Sequence, residues 1–358
     1  ITFANMTDST ISVDSNVSRA QLTSIFGQIT STSSSALSNV TLEIDGYNPE
    51  DTTAVTIPAG ISNLTLTSAG TANPVKLDAT NLSSADGAVT LAGVMLNAPV
   101  LTNLTNKTLT YTSTSSSPNI PYLLSANSST GNTLLIASST AKMGDISLDS
   151  GYHLLNLQQG TVGTINATNM ATNTTYASTA TPTLLLDGTG TMASIGKITT
   201  TGNLWVEVAA ATQAQLPSFA NCNGTCTLSF NTEADTAMSL DNVPIGYDLI
   251  KVKSGTITGD IGMRSMSTQN LELAGGSVTG TVSMDGGSVI VSSPSSNVFP
   301  SLSEGDNTLQ VNMSGSTLQY PAPQLTAGYK TVKVTAGTIA AASGATNALD
   351  FTNAASSP

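Results

Sequence analysis

One pattern occurs four times along this chain of 358 residues: Gly, usually an aromatic, two variable residues, an apolar-x-apolar triplet, then Gly-Thr. The copies begin at Gly60 (GISNLTLTSAGT), Gly151 (GYHLLNLQQGT), Gly246 (GYDLIKVKSGT) and Gly328 (GYKTVKVTAGT), spaced 91, 95 and 82 residues apart. Each follows a Thr-Leu strand signal, at Val40–Ile44, Asn132–Ile136, Cys226–Phe230 and Asn307–Val311. Further upstream come a second alternating strand (Ile11–Val13, Leu109–Tyr111, Leu204–Val208, Val289–Val291) and an apolar patch, with proline at Ile120-Pro121, Leu216-Pro217 and Phe299-Pro300. Three anchors in one order, four times over, restrict the chain to repeat architectures, in which each unit buries its apolar face only against its neighbours.

A shorter period lies inside the long one. Apolar-x-apolar strand centres fall at Leu42, Leu64, Val89, Leu109, Leu134, Leu155, Leu184, Leu204, Leu228, Ile250, Leu271, Val289, Leu309 and Val332. The mean step is about 22 residues, inside the range of solenoids. Period-two alternation in these segments indicates strands with one apolar face, and Gly-Thr, Asp-Gly, Asn-Gly and Ser-Gly between them mark turns. Strands stacked turn on turn pair with the next turn and satisfy their backbone without hairpins.

Charged residues make up 9% of the chain, against about 25% in ordinary domains, and mean hydropathy is +0.11. That combination lacks the low hydrophobicity and high charge of disordered chains, so the chain is expected to fold. Aromatics are 4%, which suits a narrow interior filled with Val, Ile, Leu and Ala rather than a globular core. One segment has helical spacing: residues 18–30, with Leu22, Ile25, Phe26 and Ile29 on one face behind Ser18 as an N-cap. It is expected to cap one end of the stack. The proline-bearing patches are read as short helical turns or loops bulging from it.

Net charge is −12 and the pI about 4.2, which disfavours nucleic acid and anionic membranes as partners. The only arginines are Arg19 and Arg264. No apolar run reaches the roughly 20 residues of a membrane span, and the chain opens at Ile1 without a charged n-region and an h-region, so a signal peptide is expected to lie outside it. Two features point to an extracellular or cell-surface setting. Cys222 and Cys226, in Asn-Cys-Asn-Gly-Thr-Cys, read as a loop-stapling disulfide, with free thiols as the alternative; two thiols and one distant His are too few for a four-ligand zinc site. Asn5, Asn16, Asn39, Asn63, Asn81, Asn103, Asn106, Asn127, Asn166, Asn173, Asn223 and Asn312 are N-glycosylation candidates by the N-x-[ST] rule, an excess over what a Ser/Thr-rich chain makes by chance.

The strand at Ile11–Val13, the amphipathic helix with Leu22, Ile25 and Phe26, the T-L-x-I-x-G-Y rung from Thr41 to Tyr47 and the segment Asn63–Pro74 together resemble the opening of right-handed parallel β-helix proteins. That class contains polysaccharide lyases, phage tailspikes and adhesin-like surface proteins. The resemblance covers about 70 residues well and speaks for architecture rather than activity. It implies an all-β fold: a single-stranded right-handed parallel β-helix of about 14 rungs, with one N-terminal capping helix and short helical bulges. The expected organisation is a strand-like arm over 1–10, one continuous solenoid over 11–340 in four long repeats (about 11–108, 109–203, 204–288 and 289–340), and a small-residue tail or inter-subunit strand over 341–358.

Lyases of this class use basic residues, in many cases with bound calcium, on acidic sugars; this chain has no recurring Lys-Arg cluster. His153, the only histidine, sits in a motif slot occupied by Ser62, Asp248 and Lys330 in the other copies, and so reads as a solvated position rather than a base. Glu43, Asp45, Asn48, Glu50 and Asp51 offer oxygen ligands within nine residues, but without EF-hand or GGxGxD spacing they read as a solvated acidic loop, not a calcium site. GxSxG, P-loop and HExxH motifs are absent. The expectation is therefore a non-enzymatic extracellular structural glycoprotein without cofactor. Its partners would be its own copies, stacking head to tail into a filament, sheath or surface layer, with Ile1, Phe3, Leu349 and Phe351 at the contacts. An adhesin or carbohydrate-binding stalk using the proline-bearing bulges is the second expectation, and a lyase-like enzyme the third.

Overall fold

The computed structural model describes residues 6–13, 18–29, 39–45, 54–68, 76–82, 88–92, 100–112, 122–124, 132–170, 184–187, 194–195, 197–200, 203–209, 219–221, 225–232, 240, 243, 246–293, 300–303, 305–320, 325 and 328–341. They form a parallel β-solenoid, as the strand rhythm predicts. The chain divides into two units, the first holding residues 1–173 with 179–183 and 193–199, the second holding 174–178, 184–192 and 200–358. The rung count is about eight rather than the expected fourteen. Of the long strands, seven belong to the first unit and eight to the second.

In the first unit the strands are Thr10–Val13, Val40–Asp45, Ile61–Ser68, Val89–Leu91, Thr108–Tyr111, Asn132–Ile136 and Tyr152–Leu157, each parallel to the next. Their register stacks Ile11, Leu42, Leu64, Val89, Leu109, Leu134 and Leu155 in one column, and Val13, Ile44, Leu66, Leu91, Tyr111, Ile136 and Leu157 in a second. All fourteen side chains are buried. In-register stacking is what period two requires, because a slip of one residue would turn a whole column outward. Shorter parallel strands (Val55–Thr56, Lys76–Asp78, Val100–Thr102 and Tyr122–Leu124) close a second face.

The second unit repeats the scheme with Leu184–Leu186, Leu204–Val208, Cys226–Asn231, Leu249–Ser254, Asn270–Leu273, Ser288–Val291, Asn307–Tyr320 and Tyr329–Ala341. Its columns run Leu184, Val206, Leu228, Ile250, Leu271, Val289, Leu309, Val332 and Leu186, Val208, Phe230, Val252, Leu273, Val291, Val311, Val334. Leu204, a strand centre by alternation, is displaced by two residues: it pairs with Cys226, and Val206 takes the column place. The last two strands are also far longer than their apolar triplets, at 14 and 13 residues.

The helix forms where expected but is shorter, Arg19–Gly27, with a complete capping box: the Ser18 hydroxyl accepts from the Gln21 N–H, and the Gln21 side chain accepts from the Ser18 N–H. Leu22 and Phe26 are buried, as is Ile29 just beyond the helix, whereas Ile25 is half-buried. The helix packs on Val55–Thr56. The bulges predicted at Ile120-Pro121, Leu216-Pro217 and Phe299 lie outside the described residues; Pro300 is described and buried. Among the described residues no helix is long and apolar enough to cross a membrane.

Candidate functional site: braced motif strands, a buried glutamate and an open last strand

The register explains what the fourfold motif does. In three copies the residue after the aromatic slot is the extra residue of a β-bulge: Val40 pairs with Ile61 but Thr41 with Asn63, Asn132 with Tyr152 but Thr133 with Leu154, and Asn307 with Tyr329 but Thr308 with Thr331. The variable slot (Ser62, His153, Lys330) is therefore a bulge position, which re-aims its side chain and tolerates many residues. The closing glycine of Gly-Thr sits at left-handed φ in each described case, +87° at Gly160, +71° at Gly255 and +84° at Gly337, and a Cβ on Gly160 would stand 2.7 Å from the Ala141 carbonyl oxygen.

Two buried asparagines grip the motif from the turn below. Asn132 donates through Nδ2 to the carbonyls of Leu104 (2.9 Å) and Gly151 (3.0 Å), and its Oδ1 accepts from the Lys107 N–H at 2.9 Å. Asn307 repeats this, donating to Met284 (3.3 Å) and Gly328 (3.1 Å) and accepting from Gly287 N–H at 2.9 Å. Each asparagine thus holds the first glycine of the next motif copy. The aromatic beside that glycine is fully buried in all three Gly-Tyr copies, at Tyr152, Tyr247 and Tyr329, and the Tyr329 hydroxyl donates to the Pro300 carbonyl at 3.0 Å. Burial pushes all three phenols well above their usual range, with the charge of Asp149 adding to the effect at Tyr152.

His153 is half-buried rather than fully solvated, and its Nδ1 lies 3.2 Å from the Asn132 carbonyl oxygen. The other slot residues likewise reach the preceding turn: Asp248 accepts from the Cys226 N–H at 3.0 Å, and Lys330 pairs with Asp306. Cys226 is disulfide-bonded; Cys222 lies outside the described residues.

The sequons fall into groups. Asn5, Asn16, Asn127, Asn173 and Asn223 lie outside the described residues, as do the assembly candidates Ile1, Phe3, Leu349 and Phe351. Asn39, Asn63, Asn81 and Asn103 have their amide nitrogens engaged, on Asp8 (2.7 Å), Asn39 (3.0 Å), the Ile57 carbonyl (3.1 Å) and Asp78 (3.0 Å) respectively. Asn106, Asn166 and Asn312 are exposed. Burial raises the Asp78 carboxyl, but hydrogen bonds from Thr80, Asn103 and Thr56 outweigh it and hold the group below the usual carboxylate range. In the acidic segment, Glu43 accepts from Ser12 at 3.1 Å, Asn48, Glu50 and Asp51 lie outside the described residues, and among those described no three His, Cys, Asp or Glu gather for a metal.

One cluster escaped the sequence reading. On the outward side of the Leu204–Val208 strand, Trp205 and Glu207 are 4% and 6% exposed. Trp205 Nε1 donates to Ser229 Oγ at 2.6 Å, and Ser229 donates to Glu207 Oε2 at 3.1 Å. Lys253 Nζ lies 2.8 Å from the same Oε2 and 4.9 Å from the Trp205 ring centroid. Asn231 Nδ2 donates to Glu207 Oε1 at 3.1 Å, while its Oδ1 accepts from Ser254 at 3.0 Å. The signal was available: adding the step of about 22 to position 207 gives 229 and then 251, and the register does align Glu207, Ser229 and Lys251. A bulge between Phe230 and Asn231, where Val252 is followed by Ser254 in the pairing, makes Lys253 the extra residue.

The last strand differs from all before it. Leu309 and Val311 are fully buried beneath it, yet Val332 is half-buried and Val334 is 50% exposed, the one exposed large apolar side chain among the described residues. In the first unit, Ile11 and Val13 of the first described strand are buried. The class these features define is the parallel β-solenoid. No protein-family model matches the sequence, and neither a curated protein nor a solved structure matches it.

Proposed function

We propose that this chain is a non-enzymatic extracellular structural glycoprotein whose copies join end to end, through the open last strand, into a filament, sheath or surface layer. The observation that carries the reading is that, in the second unit's two columns, every described place before Tyr329–Ala341 is buried, whereas Val332 is half-buried and Val334 is 50% exposed. A strand with its apolar face bare and one edge paired is a template for another strand. A second copy is the occupant that fits, because it brings a strand and columns of the same spacing and chemistry. Fixed corner geometry, low charge and mutually satisfied polar clusters are properties of a scaffold, and exposed sequons at Asn106, Asn166 and Asn312 suit a glycan coat.

The test is electron microscopy and light scattering of the concentrated full chain beside Val334→Lys. Polymers in the wild type that the variant fails to form support the reading. A wild-type chain that stays monomeric at high concentration, or a variant that polymerises equally well, refutes it.

A further inference from the structure

The Glu207 cluster holds three groups in an arrangement that a simple ion pair does not need. A buried carboxylate receives an amine on Oε2, from Lys253 at 2.8 Å, and a carboxamide nitrogen on Oε1, from Asn231 at 3.1 Å. The carbonyl oxygen of that carboxamide lies 3.0 Å from the Ser254 hydroxyl, which also lies 2.9 Å from the Thr232 carbonyl oxygen. The amine is confined further by the Trp205 face, 4.9 Å from its centroid. Two elements fix the geometry: the parallel register that brings residues 46 positions apart into contact, and the bulge that makes Lys253 an extra residue beside Asn231.

We propose that Lys253 and Asn231 form an intramolecular amide cross-link, with Glu207 as the proton shuttle. The amine must lose a proton to become a nucleophile, and the carboxylate on Nζ accepts it. Lys253 Nζ then attacks Asn231 Cγ, and the negative charge that gathers on Oδ1 in the tetrahedral intermediate draws the Ser254 hydroxyl, 3.0 Å away, from the Thr232 carbonyl. The Cγ–Nδ2 bond breaks as Glu207 returns its proton to Nδ2, and the attacking nitrogen gives its second proton to the departing ammonia, which leaves as ammonium. The sum is lysine ammonium plus asparagine carboxamide giving a secondary amide plus ammonium: one C–N bond forms, one breaks, charge is conserved and no oxidant or reductant is required. One carboxylate holds both partners, and an intramolecular acyl transfer gains most of its rate from such proximity. The product ties the Cys226–Asn231 strand covalently to the Leu249–Ser254 strand, across two adjacent turns.

The test is the intact mass of the full chain, expressed without glycosylation, reduced and denatured. The cross-link is expected to lower it by about 17 Da, the ammonia released, and digestion should give one branched peptide joining Lys253 to Asn231. A succinimide at Asn223-Gly224 would lose the same ammonia, so the deciding sample is Lys253→Arg, which keeps the cation and the ion pair but must show the full sequence mass. Glu207→Gln, folded by circular dichroism, is expected at full mass as well. A wild type at full mass after prolonged warm incubation overturns the proposal. So does a loss that persists in Lys253→Arg, and so does a loss of about 18 Da with Glu207 in the branched peptide, which is water leaving a carboxylate rather than ammonia leaving an amide.

Discussion

Replacing Asn307 with leucine removes one amide of nearly the same volume and strips three hydrogen bonds from a fully buried site. The Gly328 carbonyl keeps the backbone N–H of residue 307, at 3.2 Å. The Gly287 N–H loses its acceptor, and the Met284 carbonyl loses the donor that Asn307 supplies. Two buried polar groups left unsatisfied cost about 1–3 kcal/mol each, and the added apolar burial of leucine returns about 1–2 kcal/mol, so the net loss is expected at about 1–4 kcal/mol. For a unit of this size that lowers the melting temperature by about 2–16 °C. Asn132→Leu does the same in the first unit, orphaning the Lys107 N–H and relieving the Leu104 carbonyl of its donor. Both variants should lower the thermal transition followed by circular dichroism. If both variants unfold within about 0.5 kcal/mol of the wild type, the size of an exposed control such as Asn312→Ala, the asparagines are not braces and the argument is refuted.

Three further outcomes follow from the described geometry. Tyr152, Tyr247 and Tyr329 are held above their ordinary titration range while the unfolded chain's tyrosines ionise near pH 10; their stabilising contribution is complete below about pH 10 and is lost as pH rises beyond it, so alkaline titration should show tyrosinate absorbance lagging and then appearing with unfolding. Asp78 has the opposite sign: its carboxyl is held low in the fold, so its contribution is full above about pH 4 and fades as pH falls through the lowered value, a loss that Asp78→Asn should abolish in acid-unfolding curves. Glycopeptide mapping of material made in a glycosylating host should find Asn106, Asn166 and Asn312 occupied ahead of Asn39, Asn63, Asn81 and Asn103, whose amide nitrogens are already bonded within the fold.

Thirteen of the fourteen strand centres read from apolar alternation occupy the columns, because a buried face in a stacked strand admits only apolar residues at alternate places. Leu204 was misplaced for a local reason: the Leu204–Val208 strand is buried along its whole length, so Leu204, Val206 and Val208 compete equally for the centre. The second-face strands were invisible because two- and three-residue segments such as Val55–Thr56 carry no period to detect. The division into two units coincides with the longest step of the strand rhythm, 29 residues from Leu155 to Leu184. The Glu207 cluster was missed since its members stand one and two turns apart, and only arithmetic on the step, followed by a bulge, brings Lys253 to it. The fourfold motif, by contrast, is legible in the sequence as a repeat; its cause is a bulge in three of the copies, a buried tyrosine in three, and a left-handed glycine at the close in each described case.

The columns keep their register although the chain spends unequal lengths between them, 18 residues from Leu271 to Val289 and 25 from Leu64 to Val89. The corners therefore behave as adjustable slack and the strands as a fixed ruler. A residue added inside a strand would turn apolar side chains to water, whereas one added at a corner is absorbed. Peptides grafted at successive corners of one unit would be presented at the inter-strand pitch of about 4.8 Å, a spacing fine enough to array ligands in single file along one side of that unit.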